Sequence, residues 1–203
     1  MTAAELDRGV EFGRYLDVDG DGIPYRTLPG THPTRGAFFT RGTTKNRYAK
    51  YSEEGPDYVD NMQRLLHKFE TAKGLVPGPV KRAARRPSRF GTLYYGSTSV
   101  AMTEALEALE TRGIDLDTLR VRAFPFHDDV LDFIAGHERV FVVEQNRDAQ
   151  LRTLLTNEGE IDPAKLVPIL HYDGTPITAR FIVEAIGNML AVVTLARFKK
   201  ALP

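Results

Sequence analysis

The chain of 203 residues contains no cysteine. Without a thiol it can form no disulfide, hold no cysteine-ligated iron–sulfur cluster and build no cysteine-type zinc site. Any electron carrier that works with it must sit on another chain. Excess charge is absent too: 27 Lys plus Arg balance 27 Asp plus Glu, a formal net charge of zero. Nucleic-acid binding usually leaves a basic surplus, so none is expected. Long hydrophobic runs are also missing. The longest candidate, Met189 to Leu195, is short and is followed by Arg197, Lys199 and Lys200, so no membrane span is expected. The opening residues, Met1 to Asp7, carry neither a basic nor an apolar signal-peptide region, and the cytoplasm is the expected location.

What remains is ordinary globular composition, with 42% apolar and 27% charged residues. Residues 1–75 read as a loop-rich segment ending in a helix, 76–89 as a linker, and 90–203 as a regular α/β domain. The linker holds Pro77, Gly78, Pro79 and Pro87 among Lys81, Arg82, Arg85, Arg86 and Arg89. That mixture predicts an exposed, solvated connector. There are no internal repeats.

In the first segment, Asp17-Val18-Asp19-Gly20-Asp21-Gly22 and Leu28-Pro29-Gly30 predict tight turns, and Ala37 to Thr40 a short strand. After Gly55-Pro56 a helix is expected up to Gly74, with Met62, Leu65, Leu66 and Phe69 on one face. In the second segment strand and helix signals alternate. Strands are expected at 91–95, 119–124, 140–143 and 166–171. Helices are expected around Met102 to Leu109, over 128–135 and 149–157, and after Thr175-Pro176. Val140-Phe141-Val142-Val143 is continuously apolar, as in a strand buried on both faces. Four strand–helix units in succession predict a parallel sheet with helices on both faces.

Ligands of such sheets gather at the carboxyl ends of the strands. Those ends carry Gly96-Ser97-Thr98, Pro125 to Asp128, Glu144-Gln145-Asn146 and Tyr172-Asp173-Gly174. Capping and turn formation compete with ligand binding as the reason for these residues. Gly96-Ser97-Thr98-Ser99 could cradle a phosphate with backbone N–H groups, but it lacks the G-x-G-x-x-G of a dinucleotide site. Asp17-x-Asp19-x-Asp21 imitates half a calcium loop, yet Leu28 stands where a bidentate carboxylate is needed. Gly20-Asp21-Gly22 imitates a metal–diphosphate motif but runs into Ile23-Pro24 rather than a helix. No metal site is expected. His32, His67, His127, His137 and His171 show no HExxH spacing; His127 and His171 could approach each other or Glu144, and structural roles are expected for all five. No complete catalytic set emerges from the residues themselves.

Two stretches resemble a known family. Arg14 to Thr31, Gly36 to Thr43, Tyr58 to Leu65 and Lys68 to Ala72 look like the late part of the α subunit of 2-oxoglutarate:ferredoxin oxidoreductases. Tyr95-Gly96-Ser97-Thr98, Pro125-Phe126, Val142 to Asn146 and Gln150-Leu151 resemble the transketolase C-terminal-like domain of the same subunit. The resemblance covers nearly the whole chain in the family's order. It implies a component of a thiamine-diphosphate-dependent enzyme that converts 2-oxoglutarate to succinyl-CoA and reduces ferredoxin. It further implies a β subunit carrying thiamine diphosphate, Mg and an iron–sulfur cluster. Coenzyme A and ferredoxin would be further partners, and the assembly a homodimer or heterotetramer. Under it, Thr40, Arg41, Gly96, Ser97, Thr98, Glu144 and Asn146 become candidates for contact with substrate or coenzyme A. Arg41 suits a carboxylate or phosphate; an ion pair with an acid such as Glu53 is the alternative for it.

The departures are two. Family α subunits are much longer, and the Tyr-Pro-Ile-Thr-Pro motif that lines their cofactor site has no counterpart here. A truncated version or a separate short reading frame, inactive alone and binding no cofactor by itself, is therefore expected. Thr43 to Tyr48 carries Lys45 and Arg47 where relatives have a less basic pattern. The competing expectation is a non-catalytic dimerisation or docking module.

Overall fold

In the computed structural model, residues 1–200 are described, those from 192 onward as backbone only. The chain forms two compact units, Met1–Val76 and Pro77–Pro203.

The first unit opens with α1 (Ala3–Asp7), closed by a capping box. The Thr2 hydroxyl accepts the Glu5 N–H, and the Glu5 carboxylate accepts the Thr2 N–H at 2.6 Å. The two reciprocal bonds satisfy N–H groups that a short helix cannot pair internally. Thr2 followed three residues later by Glu5 is the sequence signal for this short helix, which is not among the expected elements. A long irregular stretch then leads to α2 (Gly55–Lys73). Pro56 occupies its first turn and Gly74 follows its last residue, as expected. The strand expected at Ala37 to Thr40 does not form. A strand needs a ladder partner, and the sheet-like pairing described in this unit is the isolated bridge Lys45–Tyr51. The turn at 17–22 is pinned to α2 instead: Thr71 Oγ1 donates to Asp21 O at 2.6 Å and Arg64 Nη1 to Gly22 O at 3.0 Å. On α2, Met62 is 38%, Leu66 60% and Phe69 39% exposed.

The second unit is a five-stranded sheet in the order β1-β3-β2-β4-β5. The strands are β1 (Val80–Arg82), β2 (Phe90–Tyr95), β3 (Asp117–Val121), β4 (Arg139–Glu144) and β5 (Leu166–Leu170). β2 to β5 are parallel, as the strand–helix alternation predicts. β1 is an antiparallel edge strand on β3, so the sheet is mixed. The segment expected as a plain connector is exposed, yet it is stitched to the domain. Arg82 and Arg85 converge on Glu110 at 2.7 and 3.0 Å, Arg86 Nε donates to Asp115 at 2.7 Å, and Arg89 pairs with Glu138. Its basic residues are matched by acids of its own domain.

Helices cover both faces. α3 (Thr98–Thr111) and α6 (Ala179–Lys200) pack Met102, Leu106, Leu109, Ile182 and Ile186 against Phe141 and Val143. α4 (Asp128–Gly136) and α5 (Gln150–Gly159) pack Val130, Ile134 and Leu155 against Leu93, Val140 and Val142. The alternation along β4 follows from the two-residue pleat, and both faces are apolar because both are covered. Each fully buried side chain of this size contributes about 1.5–3 kcal/mol. α6 starts later than Thr175-Pro176 suggests. Asp173 accepts the Thr175 N–H at 2.8 Å and holds a turn there, and the Thr178 hydroxyl then accepts the Phe181 N–H at 3.2 Å. Among the described residues no helix is long and apolar enough to cross a membrane. Most side chains of the apolar run Met189 to Leu195 lie outside the described residues.

Candidate functional site

The candidate residues fall into two groups, one in each unit. Gly96, Ser97, Thr98, Glu144 and Asn146 share the rim where β2 and β4 end; these strands are neighbours in the sheet. Gly96 turns the chain with φ +57°, a conformation that suits glycine, and Ser97 and Thr98 lead into α3. Gln145 joins these pieces. Its Nε2 donates to Ser97 Oγ at 3.1 Å and Thr98 Oγ1 at 3.2 Å, and its Oε1 accepts the Ile177 N–H at 3.3 Å. One side chain thus ties the β2–α3 turn, the end of β4 and the approach to α6. Gln145 was not among the candidates. The available signal was its position between two of them, directly after the last residue of β4.

Beside this bridge lies a cavity of about 750 Å³ lined by Ser97, Ala101, Glu104, Gln145, Ile177 and Arg180. At its edge the Ser99 N–H and Val100 N–H donate to the carbonyls of Gly96 and Ser97, both at 3.3 Å. The turn therefore uses part of the donor set that a phosphate would require.

Glu144 is wholly buried. Its Oε2 accepts the Leu151 N–H at 2.7 Å and the Asn146 amide at 2.8 Å, and its Oε1 accepts the Arg152 N–H at 3.0 Å. Asn146 Oδ1 accepts the N–H groups of Asp148 and Gln150 at 3.1 and 3.2 Å. Both side chains hold the start of α5. The histidines of the rim are similarly engaged. His127 Nδ1 accepts the Asp129 N–H at 3.2 Å and caps α4. His171 Nε2 lies 3.4 Å from Asp173, and its ring stands edge-on to Phe181. Asp173 titrates below the ordinary carboxylate range because the Thr175 backbone and hydroxyl both donate to it.

Thr40 and Arg41 lie in the first unit. Arg41 has no ion pair among the described residues, and Glu53, named as its partner in the alternative reading, accepts the Tyr51 hydroxyl. Arg41 lines a cavity of about 380 Å³ together with Tyr15, Lys45, Asn61, Met62 and Arg64. Asp17, Asp19 and Asp21 bring one carboxylate oxygen each within 4.8 Å of the others. Asp17 accepts the N–H groups of Gly20 and Gly22 at 2.9 and 3.0 Å, Asp21 that of Ile23 at 2.7 Å, and Asp19 the Tyr25 hydroxyl at 3.1 Å. That hydrogen bond, ahead of the charge of Asp19, raises the Tyr25 pKa. The Gly20-Asp21-Gly22 turn precedes no helix until Gly55. It does not fit the strand–turn–helix setting of a thiamine diphosphate motif. A chain without cysteine likewise cannot supply thiolates to a cluster.

No protein-family model matches the sequence. Among curated proteins, the chain is 27% identical over 185 residues to 2-oxoacid:ferredoxin oxidoreductase 2, subunit alpha, from Aeropyrum pernix, covering 89% of this chain and 28% of that protein. Among solved structures, it matches the 2-oxoglutarate:ferredoxin oxidoreductase of Magnetococcus marinus, determined with 2-oxoglutarate, coenzyme A and succinyl-CoA bound. The TM-score is 0.74 at 20% identity, over 89% of this chain and 31% of that one. A match to the α chain of a probable 2-oxoacid ferredoxin oxidoreductase from Thermoplasma acidophilum has a TM-score of only 0.39 and carries no weight. The chain is thus similar over most of its length to the α subunit of a 2-oxoacid:ferredoxin oxidoreductase, of which it spans about three tenths of the length, and it shares the fold of the Magnetococcus structure.

Proposed function

We propose that the chain works as part of a thiamine-diphosphate-dependent 2-oxoacid:ferredoxin oxidoreductase that acts on 2-oxoglutarate. The observation that carries this reading is the relationship to one α subunit over 89% of the chain. The reaction joins the acyl group of the 2-oxoacid to the sulfur of coenzyme A, releases carbon dioxide and the thiol proton, and delivers two electrons to oxidised ferredoxin. Thiamine diphosphate with Mg and an iron–sulfur cluster would supply the decarboxylation and electron transfer, from a β subunit and from α-subunit segments beyond those matched here. This chain's own contribution is to present surfaces. The rim at Gly96, Ser97 and Thr98 offers the exposed Ser97 hydroxyl, held in place by Gln145, which also bonds the buried Thr98. Glu144 and Asn146 fix the helix beside it. Thr40 and Arg41 offer a cationic contact for a partner or for coenzyme A. The chain alone is inactive under this proposal, and the active assembly is a homodimer or a heterotetramer.

The test is calorimetric titration of the chain with thiamine diphosphate and Mg, followed by assay with a β subunit. No binding is expected for the chain alone, and 2-oxoglutarate-dependent dye reduction is expected only when the α-subunit segments beyond those matched here and the β subunit are supplied. Micromolar binding by the chain alone would overturn the proposed division of labour. The exposed Met62, Leu66 and Phe69 favour a second reading, a non-catalytic docking module. It predicts a partner complex that forms without any gain of activity.

A further inference from the structure

We propose that His137 and Asp117 form a proton-dependent clasp that holds α4 and the segment after β1 to the sheet, and that opens as pH rises. The pair lies at the amino ends of the strands, opposite the candidate rim: Asp117 opens β3, and His137 stands just before β4. It stands whether or not the chain joins an oxidoreductase.

The His137 side chain is 8% exposed. Its Nδ1 lies 2.6 Å from the Phe133 carbonyl and its Nε2 2.9 Å from Asp117 Oδ2. A carbonyl and a carboxylate both only accept hydrogen bonds. A neutral imidazole has a single N–H, so it serves one of these partners and turns a lone pair toward the other. The ring satisfies both only as the imidazolium, with a proton on each nitrogen. His32 shows the contrast. Its Nδ1 accepts the N–H groups of Thr34 and Arg35, and its Nε2 meets Asp7 at 3.0 Å, which a ring with one proton satisfies.

Three elements meet at the His137 ring. Phe133 supplies one of the last four carbonyls of α4, while the His137 backbone N–H goes to Ile134 O at 3.4 Å. Asp117 Oδ1 accepts the Ala84 N–H at 2.7 Å, so the same carboxylate ties down the chain just after β1. On β2 the neighbour is Gly91, whose missing side chain leaves room for the ring. The charges nearby are otherwise engaged. Arg89, ahead of β2, pairs with Glu138, the residue next to His137. Lys165, ahead of β5, donates to the Ala135 carbonyl at 2.9 Å, near the same helix end. That end of α4 also favours a cation.

Loss of the second ring proton sets a lone pair against an oxygen. The local bond to Phe133 keeps the remaining hydrogen, and the Asp117 side opens. Stability that depends on a bound proton is present at low pH and lost as the proton leaves.

The test uses the full chain. Nitrogen–proton spectra of the ring count the protons on His137, and amide hydrogen exchange follows Ala84, from about pH 6 to about pH 9. Both ring nitrogens are expected to carry protons at the acid end. As the second proton leaves, protection of the Ala84 amide, corrected for its intrinsic rate, is expected to fall about tenfold, the ratio that loss of one charge-assisted hydrogen bond gives. Asp117→Asn separates the proton from the contacts. Its amide keeps an oxygen for the Ala84 N–H and offers an N–H to Nε2, so a singly protonated ring fits and the pH dependence is expected to vanish. If that variant fails to fold, His137→Gln carries the comparison, with Ala84 protection low and flat across the range. A single ring proton on His137 throughout, Ala84 protection that does not change with pH, or a pH dependence that persists in the folded variant would each overturn the clasp.

Discussion

Glu144 at the end of β4 accepts the backbone N–H of Leu151, 2.7 Å away in the first turn of α5. The residue before that helix, Ala149, is left-handed with φ +51° and has no side chain to cap with. The strand carboxylate replaces the missing cap, and the positive end of the helix favours its charge. Glu144→Gln keeps the shape but turns one acceptor into a donor facing N–H groups. A loss of roughly 1–3 kcal/mol is expected, read as a lower thermal midpoint. Unchanged stability would show that the carboxylate is not needed as the cap.

Gly91 lets α4 lie close to the sheet. A Cβ there would stand 2.7 Å from the Phe133 ring and 3.2 Å from His137. Gly91→Ala is expected to cost about 1–3 kcal/mol as an overpacked contact. Adding Phe133→Leu should recover part of that loss in denaturant unfolding. Simple additivity of the two changes would argue against the contact as the cause.

The parts of the fold visible in the sequence were those with local signatures. The bounds of α2 follow from Pro56 and Gly74, and β4 from four consecutive apolar residues with no polar partner face. The candidate rim residues follow from strand ends, and the sheet order makes two of those ends adjacent. What stayed hidden depends on distant partners. Val80 to Arg82 has no pattern of its own and becomes a strand only because β3 offers an edge. Ala37 to Thr40 has the composition of a strand and lacks such an edge. Gln145 differs from any surface glutamine only through Ser97, Thr98 and Ile177, which lie far from it in sequence. Lys45 reads as an ordinary surface lysine until its burial is known.

Gly22 and Gly20 separate backbone strain from crowding. Both have positive φ, +77° and +80°. A Cβ at Gly22 would sit 2.4 Å from the Lys68 backbone nitrogen, whereas nothing lies within 4 Å of one at Gly20. Gly20→Ala should cost only the left-handed penalty, about 1–2 kcal/mol. Gly22→Ala should cost more and detach the turn from α2. Amide hydrogen exchange would show faster exchange at residues 20–23 in the second variant only. Equal effects in both would mean that the turn is not seated on the helix.

The Lys81 ammonium lies 2.8 Å from Asp129 and links the edge strand β1 to α4. That hydrogen bond, ahead of the general attraction of the two charges, holds the Asp129 pKa below its ordinary value of 3.8. A carboxylate depressed on folding stabilises the protein above its unfolded pKa, and that contribution is lost as pH falls through the folded value. Lys81→Met should therefore lower the thermal midpoint slightly at neutral pH. The difference from the parent should shrink as pH drops below about 3.8 and at high salt, since both side chains are nearly half exposed. A gap that survives acid and salt unchanged would assign the effect to packing of the lysine stem against the sheet edge rather than to its charge.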